Sequence, residues 1–449
     1  MGRLFGTDGV RGLAFQYPLT EKIVTRIGFA VADFFCKPGH HPRIIIGRDT
    51  RLSGPAFEKA LVSGIRAGGG DALLAGVIPT PGIAYLIRNL HADAGIVISA
   101  SHNPFGDNGI KIFSGDSFKL SDETEAKIEG MILTEEERHS DLPIKFQDGE
   151  ILIMDAGDRY TAFLKNIFPA GLSLKGMKLV LDCANGATYR VAPETFKALD
   201  AEVISFFDKP DGKNINENCG SQHPGYIAGE VVRTGAAAGF AFDGDGDRVI
   251  AVDEKGNILT GDRMMAICAN AMKVRGSLTK NLVVATVMSN LGFLLALKNL
   301  GIEQRITAVG DRYVLDEMRR TGASIGGEDS GHLIFLEKNT TGDGILTALQ
   351  LLEAMLESGK PLSELAKVMT VFPQCLINIA VRSKPDISTV PAIVKAVAEA
   401  EVDLGENGRV LVRYSGTENL CRVMVEGPTD KETELYCRRI ADAVRESLA

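Results

Sequence analysis

The chain has 449 residues, of which 45% are hydrophobic and 24% are charged, and its formal net charge is −9. This composition is typical of a folded protein with several domains. It contains no basic block, which argues against a nucleic-acid partner, and no apolar run reaches the roughly 18 residues of a membrane span. We therefore expect neither a nucleic acid nor a membrane as partner.

Seven cysteines are scattered along the chain, with no CxxC pair. An odd number without paired spacing favours reduced thiols over a disulfide framework. We therefore expect a cytoplasmic protein.

Short β-branched runs alternate with amphipathic helical stretches. Strands are predicted at 43–47, 94–99, 178–182 and 282–287, and each is followed by a polar, Gly-rich or Asp-rich loop. This alternation indicates α/β layers, in which ligands bind beyond the carboxyl ends of the strands.

Changes in pattern divide the chain into four predicted domains. Their bounds are 1–154, 155–254, 255–368 and 372–449. The last stretch reads strand, helix, strand, strand, helix, which predicts a smaller α+β unit.

A serine stands in the polar loop after the second of these strands. The loop reads SASHNP from Ser99 to Pro104 and continues through an Asp-Asn-Gly turn to Lys111. Ser101 is a candidate nucleophile because His102 and Lys111 supply a proton acceptor and a cation nearby. A lone serine in such a loop is more often a turn or cap hydroxyl, so this interpretation depends on the other segments.

Three aspartates, Asp243, Asp245 and Asp247, alternate with glycines in the segment DGDGDR. The glycines allow a tight turn, so the carboxylates can converge. Converging carboxylates repel one another unless a cation lies among them, and hard oxygen ligands favour Mg²⁺ or Ca²⁺. The segment predicts a metal site, and an incomplete set of three carboxylates suits a Mg²⁺ ion that also binds a phosphoryl oxygen.

The same spacing matches the first, third and fifth ligands of an EF-hand loop, with Glu254 at the twelfth position. However, Arg248 stands at the sixth position, where that loop needs glycine. The flanking segments also read as strands rather than helices, so we reject the EF-hand.

Two later segments carry groups suited to a sugar phosphate, although either could be a simple turn. GEDSGH ends at His332 and offers carboxylates, a hydroxyl and a proton shuttle. RYSGTEN begins at Arg413 and is followed by Arg422. Its arginine fork, its hydroxyls and the backbone N–H groups around Gly416 can bind phosphate, and the same residues also suit a β-hairpin turn.

Arginines also stand on tight loops near the start of the chain. GTDGVRG places Arg11 after Asp8, and GRDTR places Arg48 and Arg51 around Asp49. We expect Arg11 to contact phosphate, and we expect the other two arginines to be structural, with the aspartates holding arginines in place.

Taken in order, SASHNP, DGDGDR, GEDSGH and RYSGTEN resemble the α-D-phosphohexomutase superfamily over essentially the whole chain. FGTDGVRG, VGDRYV and NTTGDGILTALQLL look like its glucosamine-phosphate branch rather than phosphomannomutase or phosphoglucomutase. The resemblance implies four domains around a central cleft, three of them similar mixed α/β sheet domains and the last a smaller, mobile α+β domain.

The resemblance also implies roles for individual residues. It implies that Ser101 is phosphorylated in the resting enzyme and that one Mg²⁺ per chain is bound by Asp243, Asp245, Asp247 and the phosphate on Ser101. Catalytic roles are expected for Ser101, His102, Lys111, His332 and Arg11. Substrate binding is expected for Arg248, Arg312, Glu328, Ser330, Arg413, Ser415, Gly416, Thr417 and Arg422.

The activity so implied is the interconversion of glucosamine 6-phosphate and glucosamine 1-phosphate. A sugar 1,6-bisphosphate would be both intermediate and activator, and the product would supply UDP-N-acetylglucosamine and peptidoglycan precursors. A phosphomannomutase/phosphoglucomutase, a sugar phosphatase and a non-catalytic metal-binding scaffold remain alternatives. The choice between His332 and Lys111 as proton acceptor and the question of a homodimer stay open.

Overall fold

A computed structural model describes residues 4–6, 8–138, 151–415 and 419–449. The chain folds into two compact units. The first comprises residues 1–287 and 303–367, and the second comprises residues 288–302 and 368–449. The four predicted domain boundaries stay a prediction, and the grouping of residues 288–302 with the C-terminal part was not foreseen.

The first sheet of the larger unit has six strands in the order β1-β5-β4-β2-β3-β6 and is mixed. Its strands are Val10–Leu13 (β1), Arg43–Arg48 (β2), Asp71–Val77 (β3), Ala94–Ile98 (β4), Asp107–Ser114 (β5) and Ile151–Leu152 (β6). The helices of this region are Glu21–Phe35 (α1), Gly54–Ala67 (α2), Thr80–Leu90 (α3) and Asp122–Arg138 (α4). All five residues of β4 are buried, as expected of an apolar strand between two neighbours.

The second sheet has five strands in the order β11-β10-β9-β7-β8 and is also mixed. Its strands are Lys178–Asp182 (β7), Glu202–Phe206 (β8), Ala238–Phe242 (β9), Val249–Asp253 (β10) and Ile258–Leu259 (β11). The helices of this region are Ala156–Ile167 (α5), Val191–Lys197 (α6) and Gly225–Thr234 (α7). β9 and β10 pair antiparallel, which confirms the strand–turn–strand predicted around DGDGDR.

The third sheet is mixed, with the strand order β13-β12-β14-β15. Its strands are Leu282–Thr286 (β12), Glu303–Thr307 (β13), Ile325–Gly327 (β14) and Leu333–Phe335 (β15). The helices of this region are Gly261–Arg275 (α8), Asp311–Thr321 (α10), Gly344–Ser358 (α11) and Leu362–Leu365 (α12). The side chain of Asp343 caps α11 by accepting from the backbone N–H of Leu346 at 2.9 Å.

The smaller unit contains helix Leu291–Asn299 (α9) and a three-stranded antiparallel sheet in the order β16-β18-β17. Its other elements are Gln374–Ala380 (β16), Pro391–Leu404 (α13), Arg409–Tyr414 (β17), Leu420–Glu426 (β18) and Asp430–Leu448 (α14). This is the predicted strand, helix, strand, strand, helix order. The buried carboxylate of Glu426 accepts from Asn290 and Leu291, so it joins the start of α9 to this sheet.

Three mixed α/β sheets and a smaller C-terminal domain confirm the predicted fold class. Within the described ranges, no helix has the length and apolar character needed to cross a bilayer.

Candidate active site

Ser101 is buried, in the loop that follows β4. Its backbone has φ of +53°, a left-handed conformation that is uncommon for residues with a side chain. The Ser99 hydroxyl donates to Asp49 at 2.6 Å and accepts from the Ser101 backbone N–H at 2.9 Å. The loop is therefore built around the serine by hydrogen bonds.

Three carboxylates converge in the turn between β9 and β10. One ligand oxygen each from Asp243, Asp245 and Asp247 can be chosen so that all lie within 4.8 Å of one another, and all three residues are buried. Burial, followed by the charges of the other two aspartates, raises the pKa of Asp243 well above its usual range. A cation among the three oxygens would remove that repulsion.

A second observation also indicates that the triad can bind a hard cation. The Oδ1 atoms of Asp245 and Asp247 are buried, and they have no hydrogen-bond partner among the described residues. A buried carboxylate oxygen without a donor is costly, and a metal ion satisfies it. The triad can therefore bind a metal ion, and oxygen donors favour a hard one.

The serine and the triad lie together, as predicted. Ser101 Oγ donates to Asp243 Oδ2 at 2.5 Å. This hydrogen bond joins the loop after β4 of the first sheet to the turn between β9 and β10 of the second sheet. A serine hydroxyl beside a candidate metal site is well placed to receive and release a phosphoryl group.

Lys111 lies on β5, and its Nζ is buried among carboxylates. It donates to Asp245 Oδ2 at 2.8 Å and to Asp247 Oδ2 at 3.1 Å, and it lies 3.4 Å from Asp8 Oδ2. Burial alone would lower the pKa of Lys111, but these three carboxylates raise it well above its usual range. The side chain is therefore a fixed cation.

Arg11 reaches the same cluster through Asp8, to which its guanidinium donates. Lys119 Nζ donates to Asp8 Oδ1 at 2.5 Å and also to Asp311 at the start of α10. Lys119 and Asp311 were not singled out from the sequence. Lys119 therefore joins the N-terminal loop to the start of α10.

His332 lies at the end of the connection from β14 to β15 and is 2% exposed. Its Nδ1 is 3.6 Å from Asp247 and its Nε2 is 3.7 Å from Asp311. Burial opposes the cation, but the two carboxylates outweigh it and raise the pKa of His332. Gly342 lies against the ring, and a Cβ there would come within 2.4 Å of it, so only glycine fits without displacing the histidine.

His102 lies close to both Ser101 and Arg248. His102 Nδ1 is 3.4 Å from Ser101 Oγ and 3.3 Å from Arg248 Nη1. Burial, then Arg248 and Arg11, lower the pKa of His102 to about 4. The ring is therefore neutral at pH 7.

The remaining predicted ligands of the larger unit are more dispersed. Glu328 Oε1 accepts from the backbone N–H of Gly310 at 2.9 Å, and Ser330 is exposed. Arg312 donates to Asp122 and Glu125 of α4, not to the residues around Ser101. Substrate contacts by all three stay a prediction.

The strands β17 and β18 pair antiparallel, as the predicted C-terminal hairpin requires. Arg413 and Arg422 are directly opposite each other in the strand register. Burial and the charge of Arg422 lower the pKa of Arg413. Lys384 adds a third cation, since its Nζ donates to the Ser415 carbonyl at 3.0 Å. Gly416 and Thr417 lie outside the described residues.

Several contacts of the cluster were missed from the sequence. Thr80 donates to Asp245 Oδ2 at 2.7 Å, and Asn216 donates to the Ser101 carbonyl at 2.9 Å. Thr80 is the first residue of α3, and Asn216 stands in the polar segment NINENCG. That placement alone does not single out one side chain.

Models of four phosphoglucomutase/phosphomannomutase domains match the chain. Domain I matches residues 2–139, domain II residues 158–256, domain III residues 260–372 and the C-terminal domain residues 376–443. With the serine and acidic triad described above, these matches show that the chain belongs to the phosphoglucomutase/phosphomannomutase family.

Similarity to full-length relatives narrows this class. A protein of Syntrophus aciditrophicus named phosphoglucosamine mutase is 64% identical over 449 residues, which are 100% of both chains. Within the family, the chain therefore groups with the phosphoglucosamine mutases, which confirms the predicted enzyme class.

Solved structures share the fold. A phosphoglucomutase/phosphomannomutase family protein of Burkholderia thailandensis is 24% identical with a TM-score of 0.80, over 99% of this chain and 97% of that one. An Aspergillus fumigatus N-acetylphosphoglucosamine mutase, solved with GlcNAc-6P and magnesium, is 17% identical with a TM-score of 0.66, over 99% and 95%.

Proposed function

We propose that the chain interconverts glucosamine 6-phosphate and glucosamine 1-phosphate, with Ser101 as the carrier of the phosphoryl group. The observation that carries this proposal is the 2.5 Å hydrogen bond from Ser101 Oγ to Asp243 at the edge of the acidic triad. The choice of substrate rests on the name of the relative that is 64% identical. The product would supply UDP-N-acetylglucosamine and peptidoglycan precursors.

The triad would hold one Mg²⁺ per chain, together with an oxygen of phosphorylated Ser101. Asp243, Asp245 and Asp247 supply the protein oxygens, and an ion of this kind commonly shares its shell with phosphate. When bound, Mg²⁺ supplies charge neutralisation to the phosphoryl group. The magnesium in the Aspergillus fumigatus structure supports the choice of metal for this family.

The protein's own cations would neutralise the transferring group. Lys111 forms an ion pair with the triad, and Arg11 forms one with Asp8. Arg248 lies beside His102 and Asp247. Phosphoryl transfer depends mainly on positioning and charge stabilisation, which fixed cations provide. Neutral His102 would orient Ser101 and Arg248.

His332 is our choice as the group that exchanges a proton with the sugar hydroxyl. Lys111 is held as an ammonium between two carboxylates, so it has no lone pair with which to accept a proton. His332 lies next to Asp247 and has a ring nitrogen that can take up and return a proton. Lys111 then serves as a charge partner only.

The first transfer would produce a sugar 1,6-bisphosphate, which must reorient before the second transfer restores phosphoserine. Arg413, Ser415, Gly416, Thr417 and Arg422 would bind the phosphate that is not being transferred. Facing arginines recognise phosphate rather than a particular sugar carbon, which permits both orientations. Added bisphosphate would activate the enzyme by phosphorylating Ser101, and Glu328 and Ser330 would contact the sugar.

All seven cysteines are free thiols, which supports a cytoplasmic site for the reaction. A homodimer stays a prediction.

The test is to incubate the purified protein with glucosamine 6-phosphate, Mg²⁺ and a trace of sugar 1,6-bisphosphate, and to follow the 1-phosphate isomer. The proposal predicts that the isomer forms and that little free phosphate is released. Phosphate release equal to sugar consumption would indicate a phosphatase instead. Turnover of glucose 1-phosphate without the glucosamine reaction would indicate a phosphomannomutase/phosphoglucomutase.

A further inference from the structure

We propose that Asn216 and Arg51 are positioning residues that hold the backbone of Ser101, so that its Oγ stays directed at Asp243. The inference rests on the proposed function, because it concerns how the phosphoryl carrier is held. Neither residue touches the triad oxygens, so each would act through the serine.

The backbone of Ser101 needs such support. Its φ of +53° is disfavoured for a residue with a side chain, and such conformations persist where the surroundings hold them. The backbone N–H of Ser101 is fixed by its hydrogen bond to Ser99. The carbonyl of Ser101 is fixed by hydrogen bonds that it accepts from both Arg51 and Asn216.

Arg51 is fully buried, and from its position after β2 it donates hydrogen bonds to the serine loop. Its Nε donates to Asp49 at 2.8 Å, and its Nη2 donates to the carbonyls of Ser101 at 3.0 Å and Asn103 at 2.8 Å. Its Nη1 donates to two further carbonyls of the loop, those of Pro104 and Asp107. The planar guanidinium thus spans most of the loop with hydrogen bonds in fixed directions.

Asn216 approaches the same carbonyl from the loop that follows β8 of the second sheet. Its Nδ2 lies 2.9 Å from the Ser101 carbonyl and 3.0 Å from that of Asn103. Its own backbone N–H donates to the carbonyl of Ala184, which follows β7. The amide therefore links the serine loop to the sheet that carries the triad.

Gly244 shows how closely these groups approach. A Cβ on Gly244 would lie 2.4 Å from the Ser101 carbonyl oxygen and 2.8 Å from Asn216 Nδ2. The serine carbonyl thus sits against the backbone of the triad turn, with the Asn216 amide beside it. Ser101 is attached twice to loops that follow strands of the second sheet, by Oγ at Asp243 and by its carbonyl at Asn216.

This double attachment sets the distance between the carrier and the metal site. Phosphoryl transfer needs the reacting atoms in line, and a misplacement of about 1 Å can lower a rate roughly 100-fold. If the carbonyl contact from Asn216 is lost, Ser101 can rotate about its remaining attachments. Turnover should then fall, while sugar binding by other residues stays unchanged.

A simpler role for Asn216 would be conformational. Its own φ is +59°, and asparagine tolerates this region better than most residues. Glycine and aspartate also tolerate it, so substitution by either separates the two roles. Glycine keeps the turn and removes the amide, whereas aspartate keeps the shape and places a carboxylate oxygen against two carbonyl oxygens.

The experiment compares Asn216→Gly and Asn216→Asp with the wild type in the mutase assay. We expect kcat to fall about 10- to 100-fold in Asn216→Gly, with KM changed less than about threefold. The loss should be larger in Asn216→Asp. The matched control is Asn218→Gly, since Asn218 is exposed and also has a positive φ of +54°. It should behave as the wild type.

Near wild-type kcat in both Asn216 variants would overturn the inference and leave asparagine there as a turn residue. An equal loss in Asn218→Gly, or a fall in thermal midpoint that accounts for the lost activity, would also overturn it. Failure of the proposed function is distinguishable, because the wild type itself would then form no isomer.

Discussion

The serine–triad cluster and the C-terminal hairpin each bring side chains of like charge together, carboxylates in the cluster, which Lys111 also contacts, and arginines in the hairpin. In the cluster, three buried carboxylates lie together, and two of their oxygens lack a hydrogen-bond donor among the described residues. In the hairpin, Arg413 and Arg422 face each other across two antiparallel strands. Like charges directly opposite one another destabilise a sheet, as converging carboxylates destabilise a turn.

The difference fits the ligands that we propose for the two regions, a metal ion for the cluster and a phosphate group for the hairpin. Metal-assisted phosphoryl transfer uses both. The cluster is also rigid by construction, since buried hydrogen bonds fix Ser101, Lys111 and His332 (2.5 to 3.2 Å for those to Asp243, Asp245 and Gly342).

The largest expected effect is on the cluster, through Ser101→Ala. Without the hydroxyl there is no carrier, so turnover should fall by at least about 1,000-fold, as for other nucleophiles. The measurement is the initial rate of isomer formation. Ser173→Ala, at an exposed serine, is the control and should keep full activity, whereas near-normal turnover in Ser101→Ala would refute the carrier role.

Asp245→Asn should have the next largest effect. Loss of outer-shell partners commonly weakens metal binding 10- to 100-fold, so loss of a carboxylate ligand should weaken Mg²⁺ binding by at least about tenfold. Calorimetric titration with Mg²⁺ measures this, and excess Mg²⁺ should restore part of the activity. Asp158→Asn, at an exposed aspartate, should leave the titration unchanged. An unchanged Mg²⁺ affinity in Asp245→Asn would show that the triad is not the metal site.

Arg413→Ala tests the other side of the comparison. A hydrogen bond to a charged group contributes about 1.5–3 kcal/mol, so KM for the sugar phosphate should rise about 10- to 100-fold with a smaller change in kcat. Arg413→Lys should be intermediate, because it keeps the charge without the fork. Arg438→Ala, on the exposed face of α14, should leave KM unchanged, and an unchanged KM in Arg413→Ala would remove the hairpin from substrate binding.

The last prediction concerns Asp182, a buried carboxylate outside the triad, which we expect to affect stability rather than turnover. Burial raises its pKa to about 6, although the backbone N–H groups of Ala184 and Gly220 donate to it. The folded-state pKa lies above the unfolded value, so this group favours the folded state at low pH. That stabilisation is lost as the pH rises from about 4 to about 6.

The free energy of unfolding, measured by denaturant titration, should therefore fall over this pH range, by about 3 kcal/mol at most. Subtracting the same titration for Asp182→Asn isolates the contribution of Asp182. A difference between the two proteins that does not vary between pH 4 and pH 6 would contradict the raised pKa.

Much of this arrangement was predictable because its signals are local. The alternating strand and helix patterns predicted the sheets, and DGDGDR predicted both its turn and its converging carboxylates. The hairpin at Arg413 followed from a polar turn between two short apolar strands. In each case the residues that determine the geometry lie within a few positions of one another.

What was missed depends on partners far apart in the chain. Lys119 and Asp311 are separated by 192 positions, and Asn216 and Ser101 by 115. The join between α9 and the C-terminal sheet runs through Asn290 and Glu426, 136 positions apart. Such contacts arise from the packing of separate sheets and leave no periodicity or spacing in the sequence.

The central claim is that Ser101 stores the phosphoryl group that reaches the sugar. The direct measurement labels Ser101 by incubating the enzyme with ³²P-labelled sugar 1,6-bisphosphate, removes the free sugar, adds unlabelled glucosamine 6-phosphate and Mg²⁺, and follows the label in a single turnover. The account predicts that label leaves Ser101 at least as fast as kcat and appears in sugar bisphosphate and then in hexosamine monophosphate. Label that stays on the protein while isomer forms, or that leaves only as inorganic phosphate, would contradict it.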